Sequence, residues 1–157
     1  MDEALSEVSG VRVLKRDSRH TTRSFYRYVF AIDPAVFGVD HDAVCYALKM
    51  EGKPCWVGYE AMQHNETFQP LISKLPVPNA FPEYFDFDKM SFPETERACE
   101  HEAVWLDECI FRSNRKGIDD VISVLYKILD NTQELAKAVA EYKEHQRELN
   151  HWRYPPI

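Results

Sequence analysis

Glycine is scarce, five residues in 157, and the five are too scattered to form a phosphate-cradling loop. No serine sits in the Gly-x-Ser-x-Gly elbow of a hydrolase. Independent nucleotide-binding and hydrolase functions are therefore not expected. Apolar runs stay far below the roughly 20 residues needed to span a bilayer, which excludes a membrane span. The acidic N-terminus (Asp2, Glu3, Glu7) also lacks the charged-then-apolar order of a secretory signal, so the expected location is the cytoplasm. Cysteine is limited to Cys45, Cys55, Cys99 and Cys109, without the dense spacing of a disulfide-stapled domain, and the four are expected to be buried free thiols. There is no CxxC or HxxxH pair. His64 with Glu66, and Cys99 and His101 with Glu102, have the residue types of metal ligands but not a four-ligand set, so no metal site is expected. Positive charge is in deficit, with a net charge of -7, which argues against general nucleic-acid binding.

What is present suits one domain with a core: 45% of residues are apolar and 13% aromatic. Charge is uneven. Residues 12–27 hold six Arg or Lys against one Asp, a patch that suits an anionic ligand or a solvated face, while residues 81–108 hold nine acids against two bases. Leu5 and Val8 read as the end of a helix stopped by Gly10, after which VRVLKR alternates as a strand. A chain that opens in mid-helix is expected to derive from a longer parent. From Ser24 to Ile32 a strand is expected with Tyr26, Tyr28, Phe30 and Ile32 on the buried face and Arg23, Phe25, Arg27 and Val29 on the other. Asp40 caps a helix running to Met50, Gly52 supplies a left-handed stop, and Cys55, Trp56 and Val57 form a short strand before the turn at Gly58.

The stretch 60–90 contains Pro70, Pro76, Pro78 and Pro82, which rules out one regular helix. At that length it is expected to pack as an extended loop or to contact a partner. Ser91 and Glu94 have capping-box spacing for a helix over about 92–103, followed by a brief buried Val-Trp-Leu strand. Asp119 and Asp120 favour the start of a helix whose apolar stripe is Ile118, Val121, Ile122, Leu125, Ile128 and Leu129. Residues 132–150 continue as polar helix with a thin stripe of Leu135, Val139, Tyr142 and Leu149, ended by WRYPPI. The fold class is α+β: a small, mainly antiparallel sheet packed with helices, with domain bounds of 1–130 and a polar helical tail at 131–157.

The run ALKMEGKPCWVGY over 47–59 carries a resemblance. An aromatic strand (Phe25-Tyr26 and Tyr28-Val29), a helix ending in Glu51-Gly52, a strand leading to Gly58-Tyr59 and a proline-rich loop follow one another. Next come a Pro-x-x-Glu-Arg helix (Phe92 to Arg97), a Trp105-Leu106 strand and a last amphipathic helix (Gly117 to Leu129). In that order they resemble the C-terminal small domain of the DegT/DnrJ/StrS family of pyridoxal-phosphate (PLP) sugar aminotransferases, over about 5–129. The resemblance implies the C-terminal fold of fold-type I aminotransferases and transfer of an amino group from glutamate or glutamine to a keto-sugar or cyclic ketone.

It also implies that the Schiff-base lysine, the aspartate facing the pyridinium and the phosphate turn lie in a larger N-terminal domain. The family's lysine follows a serine by five positions, and none of the eight serines here has a lysine at that offset. Lys53, Lys74 and Lys116 are read as surface charges. The chain alone is then expected to carry no catalytic residue, bind no cofactor and be inactive, with the lysine-bearing domain, or the homodimer of the intact enzyme, as partner. Substrate-contact candidates are Tyr59, Tyr26 and Arg23. Tyr59 offers a phenol to a sugar hydroxyl or packs beneath the proline-rich loop; Tyr26 falls on the face assigned to the core; Arg23 offers a guanidinium fork to a phosphate or carboxylate. The alternative function is a non-enzymatic interaction module built on the same domain.

Overall fold

The computed structural model describes residues 1–22, 24–112 and 115–148. Arg23, Leu149 and the closing WRYPPI therefore lie outside the described residues. The chain opens with α1 (Asp2–Ser6), which buries Leu5, and Gly10 then turns it into β1 (Val11–Val13). After β2 (Arg27–Ile32), Asp33 caps the single turn α2 (Pro34–Phe37). Helix α3 (His41–Met50) begins where Asp40 Oδ1 accepts the Ala43 N–H at 3.1 Å, satisfying one of the donors a helix leaves unpaired at its start. It stops at Gly52, whose φ of +71° only glycine adopts cheaply.

Strand β3 (Cys55–Trp56) follows, and its two residues pair with the middle of β4 (Ala103–Asp107). The sheet order is β1-β2-β4-β3, antiparallel throughout. Tyr28 lies opposite Leu106 and Phe30 opposite Val104, which puts Tyr28, Phe30, Ile32, Val104, Leu106 and Cys55 on one face. Helix α3 and the long helix α6 (Lys116–Asp130) cover that face with Val44, Cys45 and Leu48 and with Val121, Leu125 and Ile128. Each fully buried Leu, Ile or Phe contributes about 1.5–3 kcal/mol of transfer free energy. Helix α7 (Thr132–Glu148) lies against α3 through Val139 and the Tyr46–Tyr142 ring pair, 4.9 Å between centroids. The architecture is the α+β class read from the sequence.

Between β3 and β4 the chain neither extends nor forms one helix. It steps through single turns: Met62–His64, Pro70–Ile72, α4 (Pro76–Ala80), Pro82–Tyr84 and Phe87–Lys89. Proline opens three of these because a first-turn N–H has no intrahelical acceptor and the ring already holds the helical φ. The stretch then enters α5 (Pro93–Arg97), which widens into a π-helical turn at Ala98–Glu102 before β4.

Four expectations are corrected. Tyr26 is 72% exposed rather than buried, because β4 ends at Asp107 opposite Arg27 and leaves no partner to continue β2 through Tyr26. Phe25 takes the inner place instead, edge-on to Tyr28 at 5.5 Å and to Phe111 at 5.2 Å. Ser91 makes no cap hydrogen bond; Phe92 stands at the head of α5, and Glu94 pairs with Arg97 at 2.5 Å. The cysteines divide: Cys45 and Cys55 are buried, Cys99 is half-buried and Cys109 is exposed, turned outward by the tight 3-10 stretch Glu108–Arg112 after β4. On α6, Val124 joins the buried stripe while Ile118, Ile122 and Leu129 stay half-buried.

Candidate functional site

The sheet face away from α3 and α6 carries Arg27, Val29, Ala31, Trp56, Trp105 and Asp107, all half-buried. At its β2 end the side chains build a shelf. The Arg27 guanidinium lies 4.2 Å from the Tyr26 ring centroid and 4.3 Å from that of Trp56, stacked between two aromatic faces. Its Nη1 reaches Asp107 Oδ2 at 3.0 Å. Asp107 Oδ1 accepts the Cys109 N–H at 2.8 Å, and this bond, with Arg27 and Arg112 nearby, holds the carboxyl below its ordinary 3.8. The cation is thus neutralised and pinned.

Trp56 lies opposite Trp105 across the β3–β4 pair, and Tyr59 stands edge-on to Trp105 at 5.3 Å. Gly58 makes this approach possible. Its φ is +83°, and a Cβ there would lie 2.6 Å from the Trp105 indole. The two tyrosines singled out from the sequence therefore belong to one continuous row, Tyr26–Arg27–Trp56–Trp105–Tyr59, with both residues largely exposed and the Tyr26 hydroxyl accepting from Arg27 Nη2 at 3.3 Å. Tyr59 is 75% exposed and packs on Trp105 rather than beneath the proline-rich stretch. The third candidate, Arg23, lies outside the described residues.

Chemically the row offers flat apolar surface, two phenols that donate or accept, and no unpaired charge, which suits a neutral polyhydroxylated ring better than a phosphate. The basic patch at 12–27 is likewise partly neutralised. Arg12 pairs with Glu102 at 2.5 Å, Arg19 with Asp17 at 2.5 Å, and Arg27 with Asp107. Trp56, Trp105 and Asp107 were not candidates from the sequence. Trp105 and Trp56 meet only through the pairing of strands nearly fifty residues apart, and the sole local sign was glycine before Tyr59.

The lysines considered for a Schiff base are placed elsewhere. Lys53 and Lys116 both reach Asp120 at 2.8 Å, and Lys74 is exposed among the single-turn segments. The positive-φ glycines are isolated turns, with no run of N–H groups to hold a phosphate. The described residues do not fit a PLP site. Among them, too, no group of three His, Cys, Asp or Glu is placed to hold a metal ion. His64 turns from Glu66 to Glu100, at 3.0 Å, and Glu102 is buried between Arg12 and Arg97. A groove of about 370 Å³ between α3, α6 and α7 has an apolar floor and lies on the opposite side from the shelf.

No family model matches the chain. Two proteins provisionally named L-glutamine:3-amino-2,3-dideoxy-scyllo-inosose aminotransferase match nearly its whole length. The chain is similar to these proteins. The one from Micromonospora echinospora is 26% identical over 143 residues, covering 88% of this chain and 34% of its own length. The one from Streptomyces kanamyceticus is 26% identical over 139 residues, covering 85% and 33%. The fold matches part of 3-amino-5-hydroxybenzoic acid synthase with a TM-score of 0.61 at 17% identity, over 83% of this chain and 32% of that one. The chain spans about a third of the length of the curated relatives it matches. Among the described residues no helix is long and apolar enough to cross a membrane.

Proposed function

We propose that this chain is the C-terminal small domain of a cytoplasmic PLP-dependent aminotransferase of the DegT/DnrJ/StrS family. In this reading the enzyme moves an amino group from glutamate or glutamine to a keto-sugar or cyclic ketone. The supporting observation is the coincidence of two alignments: sequence similarity to aminotransferases of an amino-inosose and fold similarity to a synthase fragment both run across more than four fifths of this chain. Both also cover about a third of the longer proteins; in this reading the lysine, the cofactor and the amino-transfer chemistry belong to a partner domain, and the chain is inactive alone. The homodimer would form through that larger domain.

PLP supplies the electron sink for amino transfer, and no step of it is assigned to this chain. The role of the chain is to wall the substrate side. Tyr59 and Tyr26 hydrogen-bond ring hydroxyls from the two ends of the shelf, the Trp105 and Trp56 surface excludes water from the apolar ring face, and Arg23 is the third substrate-contact residue proposed from the sequence. Arg27 acts as a positioning residue, holding Tyr26 against the sheet. Titration of the purified chain with PLP, followed by borohydride reduction and peptide mass spectrometry, tests the division of labour. No pyridoxyl-lysine is expected; a stoichiometric adduct on Lys53 or another lysine would overturn it.

A further inference from the structure

Most of the large apolar side chains left exposed among the described residues fall in one stretch, between Tyr59 and Phe92. Ile72 is 77% exposed, and Leu71, Leu75, Val77, Phe81 and Tyr84 stand beside it in sequence with about half or more of their surface in water. Proteins that act alone rarely leave so concentrated an apolar surface uncovered. Nor is the stretch a loose loop. Pro70, Pro78 and Ala61 are buried within it, and Phe68 stacks on Phe87 at 5.7 Å, which in turn meets Phe92 at 6.3 Å. Gln63 donates to Glu96 at 3.2 Å and His64 pairs with Glu100 at 3.0 Å, tying its start to α5 and the turn that follows. The small aromatic cluster thus holds the single turns in place while their other apolar side chains point outward.

Two observations select the occupant. The aligned enzymes carry about two thirds of their length beyond the region that matches this chain, so a large covering body is accounted for by length. Charge argues against a second copy: the ridge itself is neutral, with Lys74 against Glu83, but the stretch that follows it, 85–100, holds five acids (Asp86, Asp88, Glu94, Glu96 and Glu100) against Lys89 and Arg97. A symmetric contact would set these acidic surfaces face to face, which disfavours self-association.

We propose that the exposed ridge from Leu71 to Tyr84 is the docking surface for the PLP-lysine domain, whose matching face is apolar with a fringe of lysine or arginine. The proposal rests on the aminotransferase reading above and names the surface through which the two parts meet. Because the ridge is preformed by its prolines and its phenylalanine cluster, docking orders little chain and does not require refolding.

The test places photo-crosslinking benzoylphenylalanine at Ile72, and in a second variant at Tyr126 on α6, in the full chain expressed in its source cell. Borohydride reduction and mass spectrometry of the adducts follow. The expected result is an adduct from Ile72 to a polypeptide bearing pyridoxyl-lysine. The double variant Ile72→Asp with Val77→Asp should lower co-purification of that polypeptide about tenfold or more. The thermal transition of the purified chain should not move, since both side chains are exposed. An adduct only to a second copy of this chain, or none from Ile72, overturns the surface. If the PLP-bearing polypeptide is reached from Tyr126 alone, the aminotransferase reading stands and the surface falls. If Ile72 captures one defined protein without PLP-lysine, the ridge is an interface but the proposed occupant and the aminotransferase reading both fail.

Discussion

Replacing Gly58 by alanine probes the geometry on which the shelf depends, with Gly52→Ala as its internal reference. Both glycines are left-handed, with φ of +83° and +71°, so each substitution incurs the backbone cost of an L-residue there, about 1–2 kcal/mol. Reduced freedom of the unfolded chain returns about 0.4–1 kcal/mol of this in both cases. The surroundings differ. A Cβ at Gly52 meets nothing within 4 Å, whereas one at Gly58 lies 2.6 Å from Trp105 Cε2 and Nε1. The indole must shift against the sheet, an overpacking cost of about 1–3 kcal/mol. Gly52→Ala should therefore lose ~1 kcal/mol and Gly58→Ala ~2–4 kcal/mol, which for a chain of this size lowers Tm by about 2–4 °C and about 5–15 °C respectively. Urea unfolding followed by far-ultraviolet circular dichroism measures both losses, and tryptophan emission should change in the native state of Gly58→Ala alone. Equal losses, with native emission unaltered in both, would show that the Gly58–Tyr59 turn does not lie over Trp105 and that the row ending at Tyr59 is wrongly drawn.

Phe30→Ala removes a fully buried side chain at the centre of β2 and should cost about 3–5 kcal/mol in urea unfolding, a large part of the whole stability of such a domain. A loss below 1 kcal/mol would mean that the sheet face is not packed as described. Acidification tests Asp107, whose pKa is lowered first by the Cys109 N–H and further by Arg27. Its contribution is present above the ordinary 3.8 and disappears as the pH falls through the lower folded value. Asp107→Asn should thus be less stable than the parent at neutral pH and lose stability less steeply below pH 3.8, read from urea midpoints across the acid range. Tyr142→Ala removes the ring contact that holds α7 on α3 and should cost about 0.5–1.5 kcal/mol beyond lost area, with faster amide exchange confined to 132–148. Uniform exchange across α3 and α6 would contradict that separation.

The elements legible in the sequence are those whose signals are local. Asp40 and Gly52 bracket α3 with a cap and a left-handed stop, and the spacing of Val121, Leu125 and Ile128 marks the buried side of α6. The alternation of Tyr28, Phe30 and Ile32 gave the inner face of β2 correctly. It failed at Tyr26, because the end of a strand depends on where its partner ends, and Asp107 lies eighty residues away. The sheet order was hidden for the same reason: β3 offers two residues, too few for a pattern, and its place beside β4 is a long-range choice. The segment 60–90 was legible as irregular but not as a chain of proline-led turns, since proline signals both helix interruption and helix start. For the candidate site, Tyr59 could be named from Gly-Tyr, but Arg27, Trp56 and Asp107 join it only through three-stranded pairing and stacking.

Amino transfer in the source cell tests the central claim most directly. Extracts from a strain lacking this chain, with and without added purified chain, are assayed for transfer of the α-amino group of glutamine or glutamate to a panel of keto-sugars and cyclic ketones such as scyllo-inosose. Transfer to at least one acceptor should be lost in the deletion and restored by the chain, although the chain alone transfers nothing. Transfer that is unchanged by deletion across the whole panel would contradict the claim.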